Sequence, residues 1–372
     1  MKTRFSKLMA IVMVFALIVA FAAIPASAAT TYTPIGGTTT ITKNLVVDED
    51  ANIPDITFAY TITRGTAAAA TANTIEILAS DVTASIGNAA FSNTDTASTH
   101  AGLPTDAQGS TTAGKKYAQK SVTVTFPANS FTKPGVYRYV INETDGQKPG
   151  VTYDTTPRYL DVFVVANAND ELSVDSYVLR NSATTIGTDG AYTSDPDVKS
   201  SGYTNSVTQY DFDFSKTITG NQGDKNKRFT FTLNITNANP GTYPVEATDV
   251  TGNPTTITIG TDGTYTGTFD LTDGSDFKVL GLNAGAVCTV SEDAQDYTAS
   301  YVVDNGSTVT GNNSGQIALT DANHSVAFTN ERDGIIPTGV LLTVAPFAIG
   351  LLLFGALAIF FIARKKKRAE EE

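Results

Sequence analysis

The 372-residue chain has one cysteine, no tryptophan and two histidines. With Cys288 alone, no intramolecular disulfide is possible, so any covalent staple must use other chemistry. Cys288 sits inside Ala286–Val290 and reads as a small buried hydrophobe. His100 and His324 are too few and too isolated for a Ser-His-Asp or Cys-His arrangement. No His-Glu-x-x-His and no phosphate-cradling loop is present, so metalloprotease and nucleotide chemistry are excluded at the level of motif. The acidic stretches Asp48-Glu49-Asp50 and Asp270–Asp273 lack the spacing of a calcium loop and read as solvated turns. No metal and no cofactor is expected. Carboxylates are abundant enough to leave a glycosidase pair open, but small β-rich repeats without a distinct catalytic domain argue against one. The expectation is therefore a non-enzyme.

Positive charge is also scarce between the ends. Of 25 Lys and Arg, three lie within the first seven residues and five within 364–368, whereas 34 of 37 Asp and Glu lie between those ends. The central chain is thus near −17, which favours solubility and argues against nucleic acid as a partner.

Long apolar runs occur only at the two ends. Lys2, Arg4 and Lys7 precede an apolar Leu8–Ile24, followed by Ala26-Ser27-Ala28, the pattern of a secretory leader cut between Ala28 and Ala29. Near the C-terminus, Ile335-Ile-Pro-Thr-Gly339 precedes the uncharged run Val340–Ala363 and then Arg364-Lys-Lys-Lys-Arg368. As a helix that run would measure about 36 Å, enough for a bilayer core of about 30 Å, and the basic cluster would hold the tail on the cytoplasmic side. The order of motif, span and basic tail resembles the sorting signal of Gram-positive surface proteins, which sortase transpeptidases cut between Thr and Gly. That resemblance implies cleavage between Thr338 and Gly339. The usual wall-sorting pentapeptide has a variable residue between Pro and Thr; here Pro337 abuts Thr338, as in the variant motifs of some backbone pilins.

Between these ends the signals are almost all strand. Ile41–Val47, Ile56–Thr63, Ser121–Phe126, Val136–Ile141, Arg158–Val165, Phe229–Thr236 and Val326–Thr329 are rich in Val, Ile, Thr, Tyr and Phe. No segment sustains a capped 3.6-residue period. The expected fold is all-β: two tandem immunoglobulin-like β-sandwich domains, flanked by the signal peptide and a C-terminal transmembrane helix. The divisions are 1–28 for the leader, 29–209 and 210–332 for the two domains, and 333–372 for the sorting signal. No Gly/Ser or Pro-rich linker separates the domains near Tyr210, which implies a stiff junction. Thr66–Lys116 reads as an insertion of surface loops and short strands.

An internal repeat sharpens this organisation. Lys43 is followed thirteen residues later by Ile56-Thr-Phe-Ala-Tyr-Thr-Ile-Thr63, and Lys216 at the same distance by Phe229-Thr-Phe-Thr-Leu-Asn-Ile-Thr236. Tyr139-Val-Ile-Asn-Glu143 answers Cys288-Thr-Val-Ser-Glu292, and Tyr203-Thr-Asn205 answers Phe328-Thr-Asn330. Lys, Glu and Asn thus recur in one order. If a sandwich interior desolvates them, the Lys pKa falls and the Glu pKa rises, so both groups approach neutrality. A neutral amine then attacks the Asn side-chain amide while the Glu relays protons, giving an Nε–Cγ isopeptide bond and ammonia. Fixed geometry can supply about 7–11 kcal/mol of the barrier.

These triads, with the segment Pro134–Thr144, Gly150-Val-Thr-Tyr-Asp154 and the two terminal Thr-Asn pairs, resemble the isopeptide-linkage domains of sortase-assembled backbone pilins. The resemblance implies bonds Lys43–Asn205 and Lys216–Asn330, with Glu143 and Glu292 as their catalysts. It implies a structural subunit of a cell-surface pilus, anchored to cell-wall peptidoglycan after passing through the plasma membrane. The implied partners are a pilin-class sortase, identical subunits joined head to tail, and tip or basal minor pilins. The nucleophile of the next subunit is assigned to Lys199, with Lys120, Lys133 and Lys148 as competitors. A monomeric wall-anchored adhesin built on the same stalk modules is the alternative.

Overall fold

The computed structural model describes residues 31–107, 113–192, 199–334 and 349–360. The leader with Ala28 and Ala29, and the motif with Thr338 and Gly339, lie outside the described residues. The chain between them is all-β, organised around two separate hydrophobic cores.

In the first unit, the long strands Ile35–Asp48 and Lys115–Phe131 pair antiparallel, and Tyr203–Val207 joins the other side of Ile35–Asp48 in parallel. The facing sheet runs Leu172–Arg180, Arg158–Ala166, Gly135–Glu143 and Tyr60–Arg64. Inward residues of both sheets, among them Leu45, Val47, Val124, Tyr139, Val162 and Tyr203, form the first core. The second unit repeats the plan. Gln209–Thr219 pairs in parallel with His324–Glu331, while Phe229–Thr236 and Val287–Glu292 lie side by side in the facing sheet. Strict alternation of buried and open positions along Phe229–Thr236 is what a period of two dictates for a half-buried strand. Cys288 is fully buried in this core, and burial pushes its thiol pKa up to about 12, so it behaves as a hydrophobe.

Two expectations need correction. Ile56–Thr63 is not one strand: Thr57–Phe58 pairs with Ala89–Ala90, whereas Tyr60–Arg64 belongs to the main facing sheet. The insertion after Thr66 is not only surface. It places Ile77, Leu78, Ala84, Ala89 and Phe91 in buried positions, because its short strands pair with the long strands Gly135–Glu143 and Lys115–Phe131 and turn these side chains into the first core.

The junction between the units is short and hydrogen-bonded. Asp48 N–H donates to Gln209 Oε1 (3.0 Å), Gln209 Nε2 donates to the Gly281 carbonyl (2.8 Å), and Asp55 N–H donates to the Pro240 carbonyl (2.8 Å). Gly150, with φ of +71°, lets the backbones meet; a Cβ there would lie 2.9 Å from Ala284 N. Residues 349–360 are helical, with apolar side chains such as Leu351, Leu352 and Phe354 exposed. Among the described residues, no helix is long and apolar enough to cross a membrane.

Candidate functional site

The parallel pairing of first and last strands builds each site. Lys43 is registered opposite Tyr203, and Leu45 opposite Asn205. Lys216 is registered opposite Phe328, and Ile218 opposite Asn330. In both units the Asn therefore lies two residues past the partner of the Lys. Because strand side chains alternate, that offset puts amine and amide on one face, pointing inward. The Glu arrives from the opposite sheet, where Glu143 pairs with Tyr60 and Glu292 with Phe231. The structure thus brings together Lys43, Glu143 and Asn205 in one core and Lys216, Glu292 and Asn330 in the other.

All six side chains are buried, with Lys43, Asn205 and Asn330 fully so. Lys43 Nζ donates to Glu143 Oε2 at 2.5 Å, and Asn205 Nδ2 donates to Glu143 Oε1. Asn205 Oδ1 accepts the backbone N–H of Asp154 at 2.8 Å. In the second site, Lys216 Nζ and Asn330 Nδ2 both donate to Glu292 Oε1 at 2.5 Å. Among the described residues, Glu292 Oε2 and Asn330 Oδ1 are buried there without a partner.

Aromatic rings complete the surroundings. Lys43 Nζ lies 4.5 Å from the centre of the Phe58 ring, and Lys216 Nζ lies 4.4 Å from that of Phe229. The rings exclude water from the amines. Desolvation accordingly lowers both lysine pKa values to about 8, against the opposing pull of Glu143 and Glu292. The same burial raises the pKa of Glu143 and Glu292, against the stabilising effect of their lysine and asparagine partners.

The thirteen-residue spacing seen in the sequence is shifted by two positions in space. The counterpart of Phe229 is Phe58, not Ile56, because the chain from Lys43 to the ring is two residues longer in the first unit. Sequence reasoning also missed Asp154 and the role of Tyr203, whose hydroxyl donates to the Ile141 carbonyl at 2.6 Å. Asp154 ends the segment Gly150-Val-Thr-Tyr-Asp154, but nothing local distinguishes a turn aspartate from one whose N–H meets a buried amide.

Lys199 is exposed and forms an isolated antiparallel bridge with Arg180. Its competitors differ in setting. Lys120 is half-buried and ion-paired with Asp95 at 2.5 Å; Lys133 reaches Glu76 at 3.2 Å; Lys148 is exposed. No group of His, Cys, Asp and Glu suited to a metal ion occurs among the described residues.

Residues 39–206 match the family described as the Spy0128-like isopeptide containing domain, and residues 210–332 match a domain of unknown function, DUF7601. A pilin of Streptococcus pyogenes serotype M1 is 29% identical over 346 residues, covering 89% of this chain and 91% of that protein. A pilus tip adhesin of Streptococcus pyogenes is 33% identical over 135 residues, covering 34% of this chain and 17% of the adhesin. Among solved structures, a major pilin protein from Streptococcus pyogenes superimposes with a TM-score of 0.50 at 21% identity, covering 82% of this chain and 100% of the other.

Proposed function

We propose that the chain is a structural subunit of a Gram-positive pilus, of the major-pilin kind, because residues 39–206 match the Spy0128-like isopeptide containing domain and a pilin aligns along 89% of the chain. From that premise we propose that each of its two immunoglobulin-like sandwich domains closes one internal isopeptide bond, Lys43–Asn205 and Lys216–Asn330, and that sortase joins the subunits covalently. The observation that carries the first part is the recurrence of one Lys–Glu–Asn arrangement, with one strand offset, in both cores.

The chemistry follows from the contacts. The amine, desolvated over Phe58, shares a proton with Glu143 and reaches its neutral form at modest cost. Lys43 Nζ attacks Asn205 Cγ, forming the Nζ–Cγ bond. Glu143 Oε2 takes the proton from Nζ, while Oε1 stands at Nδ2 to protonate the leaving group. The Cγ–Nδ2 bond then breaks and ammonia departs, so protons and atoms balance without an external reagent. At Glu292 a single oxygen serves both nitrogens. Intact mass of the exported chain tests the reading: each bond lowers the mass by one ammonia, and a well-folded chain of unmodified mass rules it out.

The reactive form of each pair carries one proton, on Glu, with a free amine. Below the raised Glu pKa the pair holds two protons and the ammonium cannot attack. Above about pH 8 the lysine proton is also lost, and an ionised Glu has none for the leaving nitrogen. The rate of bond formation should therefore be bell-shaped, with its alkaline limb near pH 8. Timed mass measurements across buffers would check it; a rate still climbing above pH 9 would contradict the proton relay.

For export and assembly, the support is sequence order. A leader ending at Ala28, and Thr338-Gly339 ahead of an apolar run and basic tail, suit secretion, transient membrane anchoring and sortase cleavage. Lys199, exposed at the end of the first domain, is the proposed acceptor amine. Minor pilins and peptidoglycan are the further partners of such a polymer.

A further inference from the structure

The two bond-forming centres are not equally equipped. Attack on an amide carbon drives negative charge onto its oxygen, and a donor already aimed at that oxygen stabilises the charge without reorganisation. In the first centre such a donor is present: the Asp154 N–H points at Asn205 Oδ1 at 2.8 Å. In the second centre Asn330 Oδ1 is buried with no partner among the described residues. Resting on the isopeptide reading above, we propose that the backbone N–H of Asp154 is the oxyanion donor of the Lys43–Asn205 reaction, that the Lys216–Asn330 reaction has no equivalent, and that the first bond consequently forms faster.

The difference has a cause in the sheets. In the second unit the strand beside Asn330 stays in the ladder throughout, with Thr298–Val303 paired to Val326–Glu331 and Ala299 opposite Asn330. In the first unit, on the side of that strand away from Ile35–Asp48, only Val151 and Thr152 pair with the strand carrying Asn205. The chain leaves the ladder at Tyr153, and the next N–H turns to the side chain of Asn205.

Asp154 is also held in place. Its Oδ2 accepts from Arg158 Nη2 at 2.6 Å and from Thr204 N–H at 3.3 Å, and its Oδ1 accepts from Thr156 N–H at 3.2 Å. Arg158 in turn donates to Ser200 Oγ and the Gly202 carbonyl and stacks over Tyr203. The donor is thus tied to the strand bearing its acceptor, and both move together. A cleft of about 410 Å³ is lined by Asp154, Arg158, Thr204 and Asn205.

The test follows both ammonia losses by peptide in the full chain, freshly made by cell-free synthesis and sampled over time. Asp154→Pro deletes the N–H and should slow the Lys43–Asn205 bond roughly a hundredfold or more, the scale of losing one oxyanion donor. The Lys216–Asn330 bond in the same molecules serves as the internal clock. Asp154→Asn keeps the N–H and should slow the first bond by less than tenfold. A folded Asp154→Pro chain, judged by near-ultraviolet circular dichroism, that links Lys43 to Asn205 at the normal rate overturns the proposal. If that variant does not fold, the unaltered chain decides. A first bond forming ahead of the second supports the donor, and a first bond level with or behind the second overturns it. Absence of both bonds from the unaltered chain is a different result, because it removes the isopeptide reading itself.

Discussion

Replacing Glu143 with glutamine is expected to leave Lys43 and Asn205 unlinked, so that the chain keeps the mass of one ammonia and its first domain melts well below the parent. Glutamine preserves the shape and the hydrogen-bonding oxygen but cannot accept a proton from Nζ and pass it to Nδ2. The bond it would prevent closes a loop of roughly 160 residues, and by analogy with a disulfide of that span its loss costs about 5 kcal/mol through the unfolded chain. For a domain of this size that corresponds to about 10–20 °C in melting temperature. The same change at Glu292 should act on the second domain alone, because the two cores share no buried residue and distant sites add. Calorimetry together with intact mass separates the effects. Normal ammonia loss in Glu143→Gln would remove the catalytic role of the carboxyl, and ammonia loss abolished with an unchanged melting temperature would remove the stabilising role of the bond.

Replacing Lys199 with alanine is expected to abolish the high-mass ladder of covalently joined subunits while leaving both internal bonds and cleavage at Thr338 intact. The side chain is exposed, so its removal should alter stability by no more than about 0.5 kcal/mol. In the proposed assembly its amine resolves the acyl link between sortase and Thr338, forming an amide between Thr338 and Lys199. An exposed lysine has a second advantage over Lys43 and Lys216, whose amines are buried against Phe58 and Phe229 and out of reach of any enzyme. Electrophoresis of surface extracts under denaturing conditions gives the answer. A ladder that persists in Lys199→Ala moves the assignment to Lys120, Lys133 or Lys148, of which Lys148 is exposed and Lys120 is committed to Asp95. If parent cells show no ladder, the monomeric adhesin is the better account.

Much of the candidate site is legible in the residues because its logic is repeated. One Lys-Glu-Asn set in a chain of this length means little. Two sets in one order, each on a strand-like segment, single out Lys43, Glu143, Asn205, Lys216, Glu292 and Asn330, and the structure brings each set together. The strands around them are legible too, since alternation with a period of two is a local property; Phe229–Thr236 has the same limits in sequence and structure. Spacing along the chain is a poorer guide. A loop two residues longer in the first unit makes Phe58, not Ile56, the ring beneath the amine. The short strands of the insertion are legible, but the burial of Phe91 and Leu78 is not, because its short, Ala- and Thr-rich pieces carry no periodic signal.

The amino-acid sequence by itself determined the β class, the absence of any intramolecular disulfide, the acidic character of the chain and the identity of the six side chains at the two centres. These depend on residue type, order and local period. Tertiary structure alone decided that the first and last strands of each unit run parallel with a two-residue offset, that each lysine is stripped of water by an aromatic ring, and that Asp154 presents an N–H to one asparagine while its fellow in the second core has none. The physical reason is that register between strands more than a hundred residues apart, and the desolvation and hydrogen-bond supply that follow from it, are set by how whole sheets pack. No short stretch of chain contains that information.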